Sequence, residues 1–437
     1  MATNDLKQRY PAASVTPKAE NGAATNGTAE KIKTGELHPG GAIKHGTYKQ
    51  ALRMALFAAY FNGCCVCTLM PGLSILVSQL LGAPLYFYDK DLYYAWMAMT
   101  KQHFGLVITT MTQWWSPTTV RISGDKSVRG QLRQVADGRI ECDFPERMVL
   151  IANHQIYTDW LYLWWIAYTA KMHGHIYIIL KESIKWIPVI GQGMMFYGFI
   201  FLSRKWSTDK PRFKHRLQKL NSNHGGMLSG SQELDPMWLL IFPEGTNLSN
   251  NGRISSAKWA EKTGIPDLQH ALLPRSTGLQ FCLQEMRHTV EWVYDCTVTY
   301  EGVPRGQFGQ DIFTLRSTYF QGRPPKSVNM HWRRFAMSSI PMDDTKEFEK
   351  WVLQRWIEKD QLLEYFVQTG RFPADDEAGP SLDGTKEIKG AGHIETEVRT
   401  ANPLEFLQII LPGAALILVL NVLGKIWRMF ARGIFGG

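Results

Sequence analysis

Hydrophobic and polar positions change character several times along the 437 residues of this chain. Residues 1–44 are rich in Ala, Thr, Asn, Gly and Lys and carry almost no large apolar side chains. Such a segment buries too little surface to offset its ordering entropy, so a disordered tail is expected there. From Tyr48 to Tyr88 the chain is apolar, with a break at Pro71-Gly72. Three readings compete. One is a single tilted membrane crossing kinked at the proline. Another is a helix–break–helix hairpin dipping into one leaflet, because each half is short against the roughly 20 residues of a full crossing. The third is a buried soluble hairpin. Residues 92–115 continue with Trp96, His103, Trp114 and Trp115, a composition suited to a membrane interface. Residues 45–118 are therefore expected to form a membrane-associated helical region.

Between residues 119 and 370 the period shortens. Residues 120–124 alternate like a strand, and 148–151, 175–180, 199–202 and 237–242 are apolar runs of strand length. Residues 290–300 and 327–337 read as later strands. Among them lie an apolar helix at 158–171, a short helix limited by Pro188 and a basic helix at 211–220. Residues 343–368 give the clearest amphipathic helix, with Phe348, Trp351, Val352, Trp356, Leu362, Leu363 and Phe366 set among charges. Strands alternating with helices predict an α/β fold: a mostly parallel sheet flanked by helices. Such sheets bind ligands outside the carboxyl ends of their strands.

Residues 371–402 are acidic and poor in apolar groups, and are expected to be a linker. Residues 403–437 read as a C-terminal hydrophobic helix followed by a basic amphipathic tail. The run from Phe406 to Leu423 contains Pro412-Gly413, and Lys425, Arg428 and Arg432 follow it around Trp427 and Phe430. As a helix the run spans about 27 Å, barely a bilayer core. Its basic end suits an anionic interface.

Composition narrows the picture. The chain is 45% apolar and 12% aromatic, enough for a sizeable core, and carries a net charge of +9. That charge suits nucleic acid, an acidic membrane surface or a phosphorylated ligand. Apolar segments at both ends argue against nucleic acid as the partner. Cys64, Cys65 and Cys67 sit in a greasy segment, and Cys142, Cys282 and Cys296 are scattered without zinc-ligand spacing. Reduced thiols in a cytosol-facing chain are expected. Neither a Gly-x-Ser-x-Gly elbow, a His-Glu-x-x-His zinc site nor a phosphate-loop lysine motif occurs. No metal and no bound cofactor are expected.

Four short segments carry candidate chemistry. Asn153-His154 is followed by Asp159, five residues after the histidine. Histidine is the usual proton carrier near neutral pH, and a carboxylate the usual group that orients it. Five residues turn about 140° on an ideal helix, so the pair fits better at a turn from strand to helix, with Asp159 reaching back. Gly198, Phe201 and Arg204 end a second strand, and arginine's fork suits phosphate. Glu244-Gly245-Thr246 follows the strand at 237–242, and Pro274-Arg275 interrupts an apolar run. Singly, each is weak: a strand-end arginine is more often a surface charge.

In this order the four resemble the motifs of the glycerolipid (lysophosphatidic acid-type) acyltransferases, over roughly residues 119 to 300. Asn-His-Gln-x-Tyr-x-Asp-Trp, Phe-Pro-Glu-Gly-Thr-Asn and Leu-Leu-Pro-Arg-Ser-Thr-Gly look like the lysocardiolipin and lysophosphatidylinositol branch. The resemblance implies a membrane-bound enzyme transferring an acyl group from acyl-CoA, as co-substrate, to a lysophospholipid hydroxyl. It implies His154 as general base, Asp159 as its orienting carboxylate and Arg204 as phosphate ligand. Gly245 and Thr246 would add donors, with Glu244 organising the pocket. Pro274 would shape an acyl or CoA surface, while Arg275 and Lys181 would be further anion contacts. Residues 119–370 would be the acyltransferase domain. An endoplasmic reticulum membrane location, with the active site facing the cytosol and its acyl-CoA, also follows from the family. The alternatives are a lysophosphatidic acid acyltransferase of de novo synthesis and a membrane lipid-binding protein that has lost the reaction. Headgroup, chain length and oligomeric state are not written in these motifs.

Overall fold

The computed structural model describes residues 38–65, 75–223, 233–380, 387–411, 418–419 and 422–427. The expected tail over 1–37, both Pro-Gly breaks, and Arg428 and Arg432 lie outside the described residues. Eight strands form the central sheet: β1 (Thr119–Gly124), β2 (Arg147–Ala152), β3 (Ile176–Lys181), β4 (Ile200–Leu202), β5 (Met237–Ile241), β6 (Trp292–Tyr300), β7 (Ser327–Ala336) and β8 (Ile394–Glu397). Their spatial order is β8-β1-β7-β6-β2-β5-β3-β4. Pairing is parallel except between β6 and β7 and between β1 and β8.

Burial on both faces explains why the inner strands read as continuous apolar runs. On β2, Met148, Leu150 and Ala152 enter one core, while Val149 and Ile151 enter the other. The first core is closed by helices α3 (Lys90–Trp115) and α4 (Asp159–Thr169). The second lies under α6 (Trp206–Leu220), α7 (Asn250–Thr263), α8 (Ser276–Met286) and α9 (Thr345–Thr369).

Within the segment 92–115, read from its aromatic residues as an interfacial element, the middle turns form a core helix. Every residue from His103 to Thr112 on α3 is buried. Its buried threonines are satisfied within the helix: Thr109 and Thr110 donate to the carbonyls of Gly105 and Leu106 at 2.8 and 2.7 Å. Gly105 permits the close approach of α4, because a Cβ there would stand 3.0 Å from Trp164 Nε1.

Helix α1 (Thr47–Cys65) rests on this core through Phe57, which packs edge-on to Trp115, Tyr319 and Phe320. Its other side leaves Tyr48, Leu52, Met54 and Leu56 exposed. Among the described residues no helix is long and apolar enough to cross a membrane. Residues 38–44, at the end of the expected tail, are docked: Lys44 N donates to the Gln321 carbonyl at 3.1 Å.

The stretch expected as a linker is tied into the domain. Asp375 takes a two-pronged bond from Arg129, 2.6 Å on each arm, and Ile394–Glu397 adds strand β8 to the sheet edge. Ile394 and Thr396 point inward and Glu395 and Glu397 outward, the alternation that an edge strand needs. Residues 405–409 then pack on α3, with Phe406 edge-on to Trp114.

Candidate active site

The site forms where β2, β5, β3 and β4 end side by side. His154 sits two residues past β2, on the turn into α4, and Asp159 is the first residue of that helix. The fully buried Asp159 reaches back, so that Oδ2 takes His154 Nδ1 at 2.8 Å and the backbone N–H groups of Gln155 and Ile156 at 2.6 and 3.0 Å. An ionised carboxylate only accepts, so the imidazole proton is on Nδ1 and the lone pair on Nε2. Nε2 has no hydrogen bond among the described residues, and the side chain keeps 19% exposure. The result is an imidazole held from behind by a buried carboxylate, with its Nε2 lone pair free.

Neighbouring strands hold this turn. Asn153 makes an amide clamp on β6, donating to the Val298 carbonyl at 2.9 Å and accepting from Val298 N at 2.8 Å. Phe242, just past β5, stacks on the imidazole with ring centres 4.3 Å apart. Leu248 N donates to the His154 carbonyl at 2.7 Å, joining the loop after β5 to the turn after β2.

Glu244, Gly245 and Thr246 form that loop, but their surroundings differ. Glu244 is buried and points away from solvent. Its Oε1 accepts from the Trp356 indole of α9 at 3.2 Å, and burial pushes its carboxyl up to about 8. Gly245 is exposed with φ of +71°, and Thr246 is half-buried. Arg204, two residues past β4, reaches across to donate to the Gly245 carbonyl. Arg275 lies on the other side of that glycine: a Cβ on Gly245 would meet its Cδ and Nε at 3.7 Å. Burial and the nearby Arg275 lower the Arg204 guanidinium from its usual range. Two cations are drawn this close around one exposed backbone turn, forming a cationic cradle.

Lys181 ends β3 opposite Leu202, two residues before Arg204, and is exposed. Lys185 is engaged by Glu182, which also takes Arg212. Pro274 is half-buried beside the cradle, and Arg275 N donates to the Pro243 carbonyl at 2.8 Å. The carboxyl ends of β2, β5 and β4 thus carry the His154–Asp159 pair, the Glu244–Thr246 loop and Arg204, with Arg275 beside Gly245 and Glu244 buried as a brace, while Lys181 stands at the end of the intervening β3. Among the described residues no cluster of three or more His, Cys, Asp or Glu side chains is arranged to hold a metal ion.

Two supporting groups escaped the sequence reading. Asp209, buried in α6, accepts from Ser203 N and Oγ at 2.9 and 2.8 Å and fixes the turn that presents Arg204. In sequence it is one acid inside a basic helix. Trp356 was recognised as a core position of the amphipathic helix, but its bond to Glu244 had no local signal.

The family model for acyltransferases matches residues 130–301, and the model for the acyltransferase C-terminus matches residues 318–400. An uncharacterised acyltransferase of Schizosaccharomyces pombe is 36% identical over 79% of this chain and 91% of its own length. The chain belongs to the acyltransferase family. A 2-acyl-1-lysophosphatidylinositol acyltransferase of Saccharomyces cerevisiae is 34% identical, covering 79% of this acyltransferase and 92% of the yeast protein. Lysocardiolipin acyltransferase 1 of Gallus gallus is 33% identical over 54% of this chain and 58% of its own. The first matched region runs from before β2 to just past β6, so it contains His154, Asp159, Arg204, Glu244 and Arg275.

Proposed function

We propose that this acyltransferase moves a fatty acyl group from acyl-CoA to a free hydroxyl of a lysophospholipid, with lysophosphatidylinositol or lysocardiolipin as the acceptor. The observation that carries this reading is the 2.8 Å bond between His154 Nδ1 and Asp159 Oδ2, which leaves Nε2 as the free base. The names of the yeast and chicken relatives support the acceptor class.

In this mechanism His154 Nε2 takes the proton of the acceptor hydroxyl as its oxygen attacks the thioester carbonyl. Asp159 stabilises the imidazolium. The tetrahedral adduct expels the CoA thiolate, which recovers the proton from His154, leaving an ester and free CoA. The thioester is already activated, so position and a base suffice. Arg204, Arg275 and Lys181 bind the acceptor phosphate, with Gly245 and Thr246 at its edge. Pro274 borders the acyl or CoA surface. The enzyme acts at the endoplasmic reticulum membrane with this site facing the cytosol, where acyl-CoA is supplied.

The test is His154→Ala, assayed with a panel of lysophospholipids and acyl-CoAs. Acyl transfer should disappear while the unfolding transition persists, and the parent protein should prefer lysophosphatidylinositol or lysocardiolipin. Full activity in the variant would overturn the mechanism, and a strong preference for lysophosphatidic acid would overturn the acceptor.

A further inference from the structure

Tyr300 is the last residue of β6, and its ring is 2% exposed. Its hydroxyl donates to Asp159 Oδ1 over 2.5 Å. The two carboxylate oxygens of Asp159 are therefore used differently. Oδ2 serves His154 and two backbone N–H groups, while Oδ1 is held from below by Tyr300. The ring lies between Tyr162 and Phe313, with centres 6.0 and 6.2 Å away, so the hydroxyl has little freedom to turn elsewhere.

Other titratable groups around this pair leave the contact undisturbed. Tyr162 on α4, Cys296 on β6, Tyr319 beneath α1 and Glu244 under the histidine turn are all buried, and burial favours the neutral form of each. Lys359 on α9 approaches Cys296 and Glu244 and bonds the Cys296 carbonyl at 2.7 Å. Burial and the Asp159 charge keep the Tyr300 phenol protonated, hence a donor across the neutral range.

We propose that Tyr300 is a positioning residue for acyl transfer, whose O–H aims Asp159 Oδ2 at His154 and draws charge from that carboxylate. The inference rests on His154 acting as the base. A donor on Oδ1 weakens the hold of Oδ2 on the imidazolium, so Tyr300 tunes the basicity of His154 as well as its aim. Removing the hydroxyl returns charge to Oδ2, makes His154 harder to deprotonate and lets the carboxylate rotate.

Tyr300→Phe keeps the ring and deletes the O–H. With the full chain, acyl-CoA and lysophosphatidylinositol, kcat should fall by about 10-fold or more while both KM values stay within about two-fold. The acid limb of the kcat profile should move to higher pH by on the order of half a unit. Site-specific 3-fluorotyrosine at position 300 keeps the shape and strengthens the donor, so its acid limb should move to lower pH. This second variant decides the matter if Tyr300→Phe fails to fold. Unchanged kcat and unmoved acid limbs in folded variants overturn the proposal, as does an equal loss with no change in the profile. Assayed alongside, His154→Ala separates the two claims: activity there defeats the base itself, whereas a dead His154→Ala beside a wild-type Tyr300→Phe defeats only the role of Tyr300.

Discussion

The indole N–H of Trp356 donates to Glu244 Oε1 over 3.2 Å, tying the loop after β5 to helix α9 inside the second core. Oε2 has no hydrogen-bond partner of good geometry among the described residues. A carboxyl so placed favours its protonated form, and burial pushes it up to about 8 from an ordinary 4.5.

This gives stability a defined pH slope. Between about pH 4.5 and 8 the folded protein keeps a proton on Glu244 that the unfolded chain has released. Stability from this group is therefore full below pH 4.5, falls as pH rises and levels off above 8. Glu244→Gln keeps the shape without the titration. Its stability should be flatter over that window, exceeding the parent at pH 8 by on the order of a few kcal/mol. Denaturant unfolding at several pH values reads this directly, and parallel curves for the two proteins would contradict it.

A second buried group behaves oppositely. Asp295 on β6 pairs with Lys359 and takes Arg333 Nε at 2.7 Å, while Arg333 Nη1 bonds Glu358 at 2.6 Å. Burial opposes ionisation of Asp295, but Lys359 and Arg333 prevail and hold its carboxyl below the ordinary range. Asp295→Asn leaves two buried cations short of an anion. A loss of about 3–5 kcal/mol is expected from denaturant midpoints. A loss under about 1 kcal/mol would show that water or Glu358 replaces the carboxylate.

The reach of the sequence follows from how far apart partners lie. His154 and Asp159 are five residues apart, so their turn was readable from spacing, and their bond from the resemblance carried by all four motifs. Arg204 was readable as the cation ending a strand; its contact with Gly245, 41 residues on, was not. Tyr300 lies 141 residues from Asp159 and had no signal beyond ending an apolar run. The α/β pattern was clear because β2 and β5 are buried on both faces. Residues 92–115 misled because tryptophan and histidine suit a lipid interface and a tightly packed core equally well. Strand β8 was missed because four alternating residues in an acidic stretch fall below any useful window.

Arg204 has φ of +68°, a conformation that disfavours a residue with a Cβ. Asp209 on Ser203 and the guanidinium on Gly245 hold it there. Arg204→Gly suits this backbone and removes the cation, so stability should stay within about 1 kcal/mol of the parent. The acceptor KM should rise about 10-fold or more, with the acyl-CoA KM unchanged, and Arg204→Lys should fall between because it keeps charge but not the fork. An acceptor KM left intact in the glycine variant would remove Arg204 from the phosphate site.

The helices beside β3 and β4 present an apolar surface. Phe87 is 90% exposed and Trp186 73%, with Leu80, Leu81, Ile187 and Met195 also exposed nearby. They belong to segments that pack in series: residues 85–88 and helix α2 (Ile75–Gly82) contact α3, α2 also contacts α5 (Ile190–Phe196), and α5 contacts residues 182–186. Trp186 follows Lys181 by five residues, so the Trp186 end of this surface adjoins the strand ends that carry the cationic cradle. Apolar side chains beside a cationic site suit a bilayer whose acceptor headgroups enter from the interface. Phe87→Ser with Trp186→Ser should lower kcat/KM on bilayer-embedded acceptor by roughly tenfold or more, through lost aromatic insertion. Activity on the same acceptor in detergent micelles should hold, because neither side chain touches His154 or Arg204. Equal losses in both presentations would mean that the two aromatics support the fold rather than the membrane approach.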